Sequence, residues 1–169
     1  MTAFLDPPAA DSASLIEILR ARALEQPEGL AYTLLRNGEE EEARLTYGDL
    51  DLRARALGAV LAERKAAGER ALLLYPPGLE FIVAFFGCLY AEVTAVPAYP
   101  PRAARGLERL RAIVEDARPR LALTTASLLA QLREEAGGSA GVAGVPAIAT
   151  DALSPALADG WREPRIEPG

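Results

Sequence analysis

The sequence predicts an α/β fold, a mainly parallel sheet in a three-layer arrangement flanked by helices, with a β-hairpin near the amino terminus. Three observations carry this. Leu72 to Pro101, LLLYPPGLEFIVAFFGCLYAEVTAVPAYPP, reads as strand, tight turn, apolar helix, second strand and proline-rich loop, which is a βαβ unit. Asn37-Gly38 stands between two strand-like runs, and this dipeptide suits a hairpin turn whose central residues need positive φ. Elsewhere, runs with apolar residues every three to four positions alternate with short apolar runs, as strands joined by helical crossovers require.

Residues 1–11, with Pro7, Pro8 and small side chains, read as a flexible tail. Ser12 or Ser14 caps a helix through residue 26, with Leu15, Ile18, Leu19, Arg22 and Ala23 on one stripe, and Pro27 and Gly29 stop it. The hairpin strands are 30–36 and 43–47, and the like-charged run Glu39 to Glu42 between them reads as a solvated turn. A helix follows from Tyr47 to Ala66, with Leu50, Leu52, Ala54, Leu57, Val60, Leu61 and Arg64 near helical period. Thr46 is its N-cap, Asp49 suits the positive end of its dipole, and Gly68 ends it. Lys65, the only lysine against seventeen arginines, falls in the last turn, where the dipole favours a cation. That position explains it without a catalytic role.

Arg70 to Tyr75 is nearly all apolar and fits a strand covered on both faces. Pro76-Pro77-Gly78 makes a turn into a helix over 79–91, apolar nearly all round and therefore deep in the fold. A strand over 93–97, an amphipathic helix over 104–117 broken by Pro119, a strand over 120–124, a helix over 127–135 and a strand over 145–150 complete the pattern. Gly137 to Gly144, GGSAGVAG, reads as a loop whose spacing fits neither GxGxxG nor GxxxxGK[ST], so no phosphate site is assigned to it. Residues 12–160 thus form one α/β unit, and 161–169 read as a linker toward a remainder lying outside these residues.

A chain of 169 residues, half hydrophobic and a quarter charged, suffices for one globular domain. The net charge of −6 and the lack of a basic stripe argue against nucleic acid as a partner. Arg102, Arg105, Arg109 and Arg111 are interrupted by Glu108 and read as a solvated helix face. The start has no signal-like basic and apolar regions, and the longest apolar run, 81–91, is well short of the ~20 residues that span a bilayer. The expectation is a cytoplasmic protein with no membrane partner. Cys88, the single cysteine, reads as a small core hydrophobe. There is no histidine, which excludes Ser-His-Asp and Cys-His nucleophiles and His-based metal sites, and no metal site is expected.

Three segments then carry a resemblance: LTYGDL at 45–50, FGCLYAEVTAVP at 86–97, and AYPP at 98–101 taken with YPPGLEF at 75–81. In this order and spacing they resemble the adenylate-forming superfamily of acyl-CoA synthetases and adenylation domains, and within it are most similar to the fatty acyl-AMP ligases. The resemblance covers about Ser14 to Trp161. Its motif residues read as structural: Thr46 caps a helix that Tyr47 and Leu50 pack, Pro97 ends a strand where no ladder donor is needed, and Pro100 stiffens the exit loop. Tyr99 lies at the carboxyl end of a parallel strand, where ligands gather, and is the residue expected nearest a substrate; the plainer reading is that it packs the loop. The family commonly has glycine where this chain has Glu92. A glutamate in the left-handed conformation that a glycine suits there would cost about 1 kcal/mol.

The resemblance implies a parent enzyme that uses ATP and Mg²⁺ to convert a fatty acid to an acyl-adenylate and passes the acyl group to an acyl carrier protein. That chemistry needs a phosphate loop, Mg²⁺ ligands and a lysine on a C-terminal domain. No such segment occurs in these residues, so no catalytic residue and no bound cofactor are expected here, and the chain alone is expected to be inactive. Its partners would be the remainder of the parent, with the carrier protein and fatty acid acting on the parent, and its exposed contact surface would favour self-association. The alternative is a non-catalytic docking or scaffold module built on the same subdomain.

Overall fold

The structure, a computed structural model, describes residues 14–101, 104–135 and 141–164. The tail at 1–11 and most of the stretch 161–169 lie outside the described residues. The elements in order are α1 (Leu15–Glu25), β1 (Leu30–Arg36), β2 (Glu40–Thr46), α2 (Tyr47–Glu63), β3 (Arg70–Leu74), α3 (Leu79–Leu89), β4 (Thr94–Ala98), α4 (Ala104–Ala117), β5 (Leu121–Thr124), α5 (Ala126–Glu135), β6 (Gly141–Val142) and β7 (Val145–Ala149). Two short 3-10 segments, Thr150–Ala152 and Pro155–Gly160, follow.

The main sheet has the order β4-β3-β5-β7-β6. β3, β4, β5 and β7 run parallel, and β6 joins β7 antiparallel. Alternation along β3 sets the layers. Ala71 and Leu73 face one way, into a core shared with Leu57 and Leu61 of α2 and Ala84 and Cys88 of α3. Leu72 and Leu74 face the other way, toward Leu110 of α4 and Leu129 and Leu132 of α5. Both faces of this strand are covered, which is why its sequence is almost wholly apolar. The hairpin is a separate two-stranded sheet. With α1 it packs outside α2 and α3 through Ile16, Leu19, Leu45, Leu50, Ala54 and Val83. It therefore adds to a neighbouring layer and not to an edge of the main sheet.

Local chemistry forms several ends as expected. Ser14 caps α1 in a capping box with Glu17, and the Asp49 N–H donates to the Thr46 Oγ1 at 3.1 Å to start α2. Asn37 and Gly38 take φ of 54° and 80°, the left-handed pair of a hairpin turn. Pro97 sits in β4, an edge strand, where its missing N–H costs no ladder bond.

Other ends differ. β2 begins at Glu40, so Glu40 to Glu42 are strand residues, balanced by Arg44 against Glu41 and Arg36 against Glu42. The buried stripe of α1 is Ile16 and Leu19, while Leu15 and Ile18 are exposed, because Arg20 is drawn onto α2. α2 stops at Glu63. Lys65 lies beyond it at φ 53°, the Lys65 N–H donates to the Ala62 carbonyl at 2.9 Å, and the Ala66 N–H donates to the Leu61 carbonyl at 3.1 Å. This is a Schellman end with lysine where glycine is usual. α3 ends the same way: Glu92 has φ 56°, its N–H donates to the Leu89 carbonyl at 3.1 Å, and the Val93 N–H donates to the Cys88 carbonyl at 2.9 Å. Glu92 therefore does adopt the left-handed conformation, at a cost of about 1 kcal/mol. The two turns are tied together, the Gly68 N–H donating to the Glu92 carbonyl and the Thr94 N–H to the Glu69 carbonyl, both at 2.9 Å.

Two features went unread in the sequence. Gly141 to Val145, within the glycine-rich stretch, forms a tight hairpin with Ala143 and Gly144 at φ 51° and 85°. The segment after β7 crosses α2 and ends in a core residue: Trp161 is 8% exposed and stacks on Tyr90, with ring centroids 4.9 Å apart. Trp161, expected in a linker, is therefore a core residue.

Candidate functional site

The parallel strands reverse direction of progression at β3, since β4 lies on one side of it and β5 on the other. In open α/β sheets the crevice beyond the carboxyl ends of the strands at such a switch is the usual ligand site. Two adjoining clefts open here. The larger, about 640 Å³, lies between the loops after β3 and β4 and the facing sides of α4 and α5. The smaller, about 450 Å³, lies between the turn into α3 and β4.

Each wall follows from its sequence. Pro76 and Pro77 after β3, and Pro100 and Pro101 after β4, hold both loops rigid with fixed φ and no donors of their own. Tyr99 contributes to both clefts and is 81% exposed, so its ring stands on the rim and is not packed into the loop. Leu110, Ile113 and Leu128 give the larger cleft an apolar floor, while Arg109, Thr125, Ser127 and Gln131 bring polar groups to it. Phe81 lines the smaller cleft and meets Tyr75 edge-on at a centroid distance of 6.4 Å.

Beneath the clefts a buried hydroxyl chain ties the three central strand ends. The Thr150 Oγ1 donates to the Thr124 carbonyl at 3.3 Å, which leaves the Tyr75 hydroxyl to donate to the Thr150 Oγ1 at 2.8 Å. Burial pushes the Tyr75 phenol well above its ordinary value, and the bond to Thr150 offsets only part of this. Tyr75 is therefore a neutral donor and not a base. The Thr125 Oγ1 accepts the Leu128 N–H at 3.3 Å and sits 3.2 Å from the Ser127 Oγ. The Asp151 Oδ1 accepts the Ala126 N–H at 2.8 Å. These bonds cap the start of α5.

Of the residues singled out in the sequence, Tyr99, Pro97 and Pro100 come together at the clefts. Thr46, Tyr47 and Leu50 do not. Thr46 caps α2, Leu50 is 1% exposed, and Tyr47 packs in the outer core while its N–H donates to the Gly29 carbonyl at 2.9 Å. Lys65 lies in the turn that leads into β3, at the opposite edge of the sheet from the clefts. Arg109 was read as part of a solvated face; it is exposed, and it also borders the larger cleft. Its place there follows from α4 starting at the carboxyl edge of β4, a signal available only once strand order is known. Arg109 is the one charged side chain among the described residues that line the clefts. No carboxylate stands among the described residues that line them.

The chain matches the family model described as AMP-binding enzyme over residues 19–167. It is 44% identical over 157 residues to JamA of Moorena producens, a medium-chain-fatty-acid–[acyl-carrier-protein] ligase, covering 90% of this chain and 26% of that protein. It is 34% identical over 145 residues to FadD23 of Mycobacterium tuberculosis, a long-chain-fatty-acid–AMP ligase, covering 84% of this chain and 25% of that one. The crystal structure of a fatty acid AMP ligase from Legionella pneumophila superimposes with a TM-score of 0.83 at 34% identity, covering 94% of this chain and 27% of the other. The chain thus spans about a quarter of the length of these two curated relatives.

Proposed function

We propose, from the premise that this chain belongs to the AMP-binding enzyme family, that it is the N-terminal part of a fatty acyl-AMP ligase. The parent would activate a fatty acid with ATP and Mg²⁺ to an acyl-adenylate and pass the acyl group to an acyl carrier protein. The observation that carries this reading is the 44% identity, over 90% of the chain, to an enzyme named for ligating medium-chain fatty acids to such a carrier.

In this reading the chain contributes scaffold and wall. The proline-stiffened loops hold Tyr99 and the apolar floor of Leu110, Ile113 and Leu128 at the carboxyl edge of the sheet. A rigid apolar surface there excludes water and limits where a bound chain can lie. The reacting groups belong to the rest of the parent. The only lysine, Lys65, lies at the opposite edge of the sheet from the clefts, and nucleotidyl transfer needs preorganised cations and donors around the phosphates.

The remainder of the parent is also the natural partner of the exposed apolar residues on α1 and the hairpin: Leu15, Ile18, Leu24, Leu30, Tyr32 and Leu35. Without it, that surface favours self-association. Fatty-acid-dependent ATP–pyrophosphate exchange tests the reading. The 169-residue chain alone should give background exchange, and exchange above background would overturn the division of labour.

A further inference from the structure

We propose that the outer edge of β1 is an interface, at which two copies of this chain join by pairing their β1 strands antiparallel about a two-fold axis. Among the described residues the hairpin is a sheet of two strands, and no backbone bond from residues 31–35 leaves it. Each of its strands therefore keeps one edge of N–H and C=O groups that no other strand satisfies. Such an edge is completed by a strand from another molecule.

The two edges differ in chemistry. β1, LAYTLLR, exposes Leu30, Tyr32 and Leu35 and contains no proline, lysine or acid. Its bulge at Ala31 falls near one end and leaves Tyr32 to Arg36 in regular register. β2 opens with Glu40, Glu41 and Glu42, all exposed, and Glu42 is itself skipped in the pairing. Charges and bulges are devices that keep an edge strand from pairing. β2 carries both along its first half, and β1 leaves most of its length open.

Charge then selects the direction and the number of copies. Arg36 is the only charged residue of β1. Parallel strands in register would set the two Arg36 side chains beside each other. Antiparallel strands carry them to opposite ends, each toward the turn that bears the exposed Glu28 of the second copy. At home Arg36 has only a loose, exposed pair with Glu42 at 3.7 Å. The joined sheet has the order β2-β1-β1-β2, so both of its outer edges are the glutamate-lined β2. It closes at two copies and does not grow further. This sharpens the self-association proposed above by naming its edge, and it does not rest on the ligase reading.

The test combines sedimentation velocity with amide hydrogen exchange on the 169-residue chain over a range of concentrations. A monomer–dimer equilibrium is expected, with exchange within 30–36 slowing as concentration rises while exchange within 40–46 stays constant. Leu35→Lys should weaken the dimer about tenfold, because the change enters both strands, and should weaken it more than Leu24→Glu does. Association that leaves exchange in β1 unchanged overturns the edge pairing, though not the association itself. A strict monomer overturns both, and growth past two copies overturns the closed sheet. A folded Leu35→Lys chain that dimerises as well as the unsubstituted one also overturns the proposal; if that variant does not fold, the exchange of the unsubstituted chain decides alone.

Discussion

Arg20 and Asp51, 31 positions apart, form a two-point ion pair, with Nη1 of the arginine 3.0 Å from Oδ1 and 2.9 Å from Oδ2 of a carboxylate that is 3% exposed. Arg55 Nε and the Tyr90 hydroxyl donate to the same carboxylate at 2.9 and 2.8 Å. One buried acid thus joins α1, α2 and the end of α3. Asp51→Asn keeps the shape but leaves two guanidinium groups facing a neutral amide. Breaking such a pair from one side should cost about 3 kcal/mol. Urea denaturation should read the loss as a lower midpoint with an unchanged slope, and an unchanged midpoint would show that the cluster contributes nothing net.

Gly87 lies where α3 crosses α2, and a Cβ there would stand 2.5 Å from the Leu57 Cδ2 and 2.9 Å from its Cβ. The near end of Leu57 cannot swing away, so the helices must part. Gly87→Ala should destabilise by about 2 kcal/mol, read as a fall in melting temperature. A glycine placed at Glu92 should act oppositely, because φ 56° favours it; Glu92→Gly should raise stability by up to about 1 kcal/mol.

Burial pushes the Cys88 thiol from 9.0 up to about 12. Its folded-state value lies above the unfolded one, so the unfolded chain gives up its proton first. This contribution to stability is full below about pH 9 and is lost as pH rises toward 12. Tyr75 and Tyr90, both raised mainly by burial, act in the same direction at higher pH. Denaturation midpoints at neutral and alkaline pH should therefore diverge, less so in Cys88→Ala. Iodoacetamide should leave the thiol of the folded chain unmodified near neutral pH.

The apolar residues exposed on α1 and the hairpin should make the isolated chain associate. Sedimentation velocity should show a concentration-dependent rise in mass, which Leu24→Glu, at a residue 73% exposed, should reduce. A strict monomer at high concentration would contradict it.

What could be read from the sequence was the chemistry that acts within a few residues. The Thr46 cap and the Asn37-Gly38 turn are local devices that formed where the sequence placed them, and of the two serines that could cap α1 it is Ser14, with Glu17, that does so. The αL ends at Lys65 and Glu92 were harder to read, because lysine and glutamate do not advertise positive φ; only the comparison with a glycine-bearing family flagged the second. Asp51 and Trp161 were illegible for a different reason. Nothing near either residue points to partners 31 and 71 positions away. The site divided along the same line. Tyr99 could be placed from the rule that ligands gather at strand carboxyl ends, whereas Arg109, Thr125 and Gln131 join it only through the order in which the strands lie side by side.

The most direct test of the account replaces the matching 157 residues of the Moorena producens ligase with those of this chain and measures fatty-acid-dependent ATP–pyrophosphate exchange. A folded chimera should retain exchange, beside an isolated 169-residue chain that shows none. A folded chimera without exchange, or an isolated chain that exchanges by itself, would contradict it.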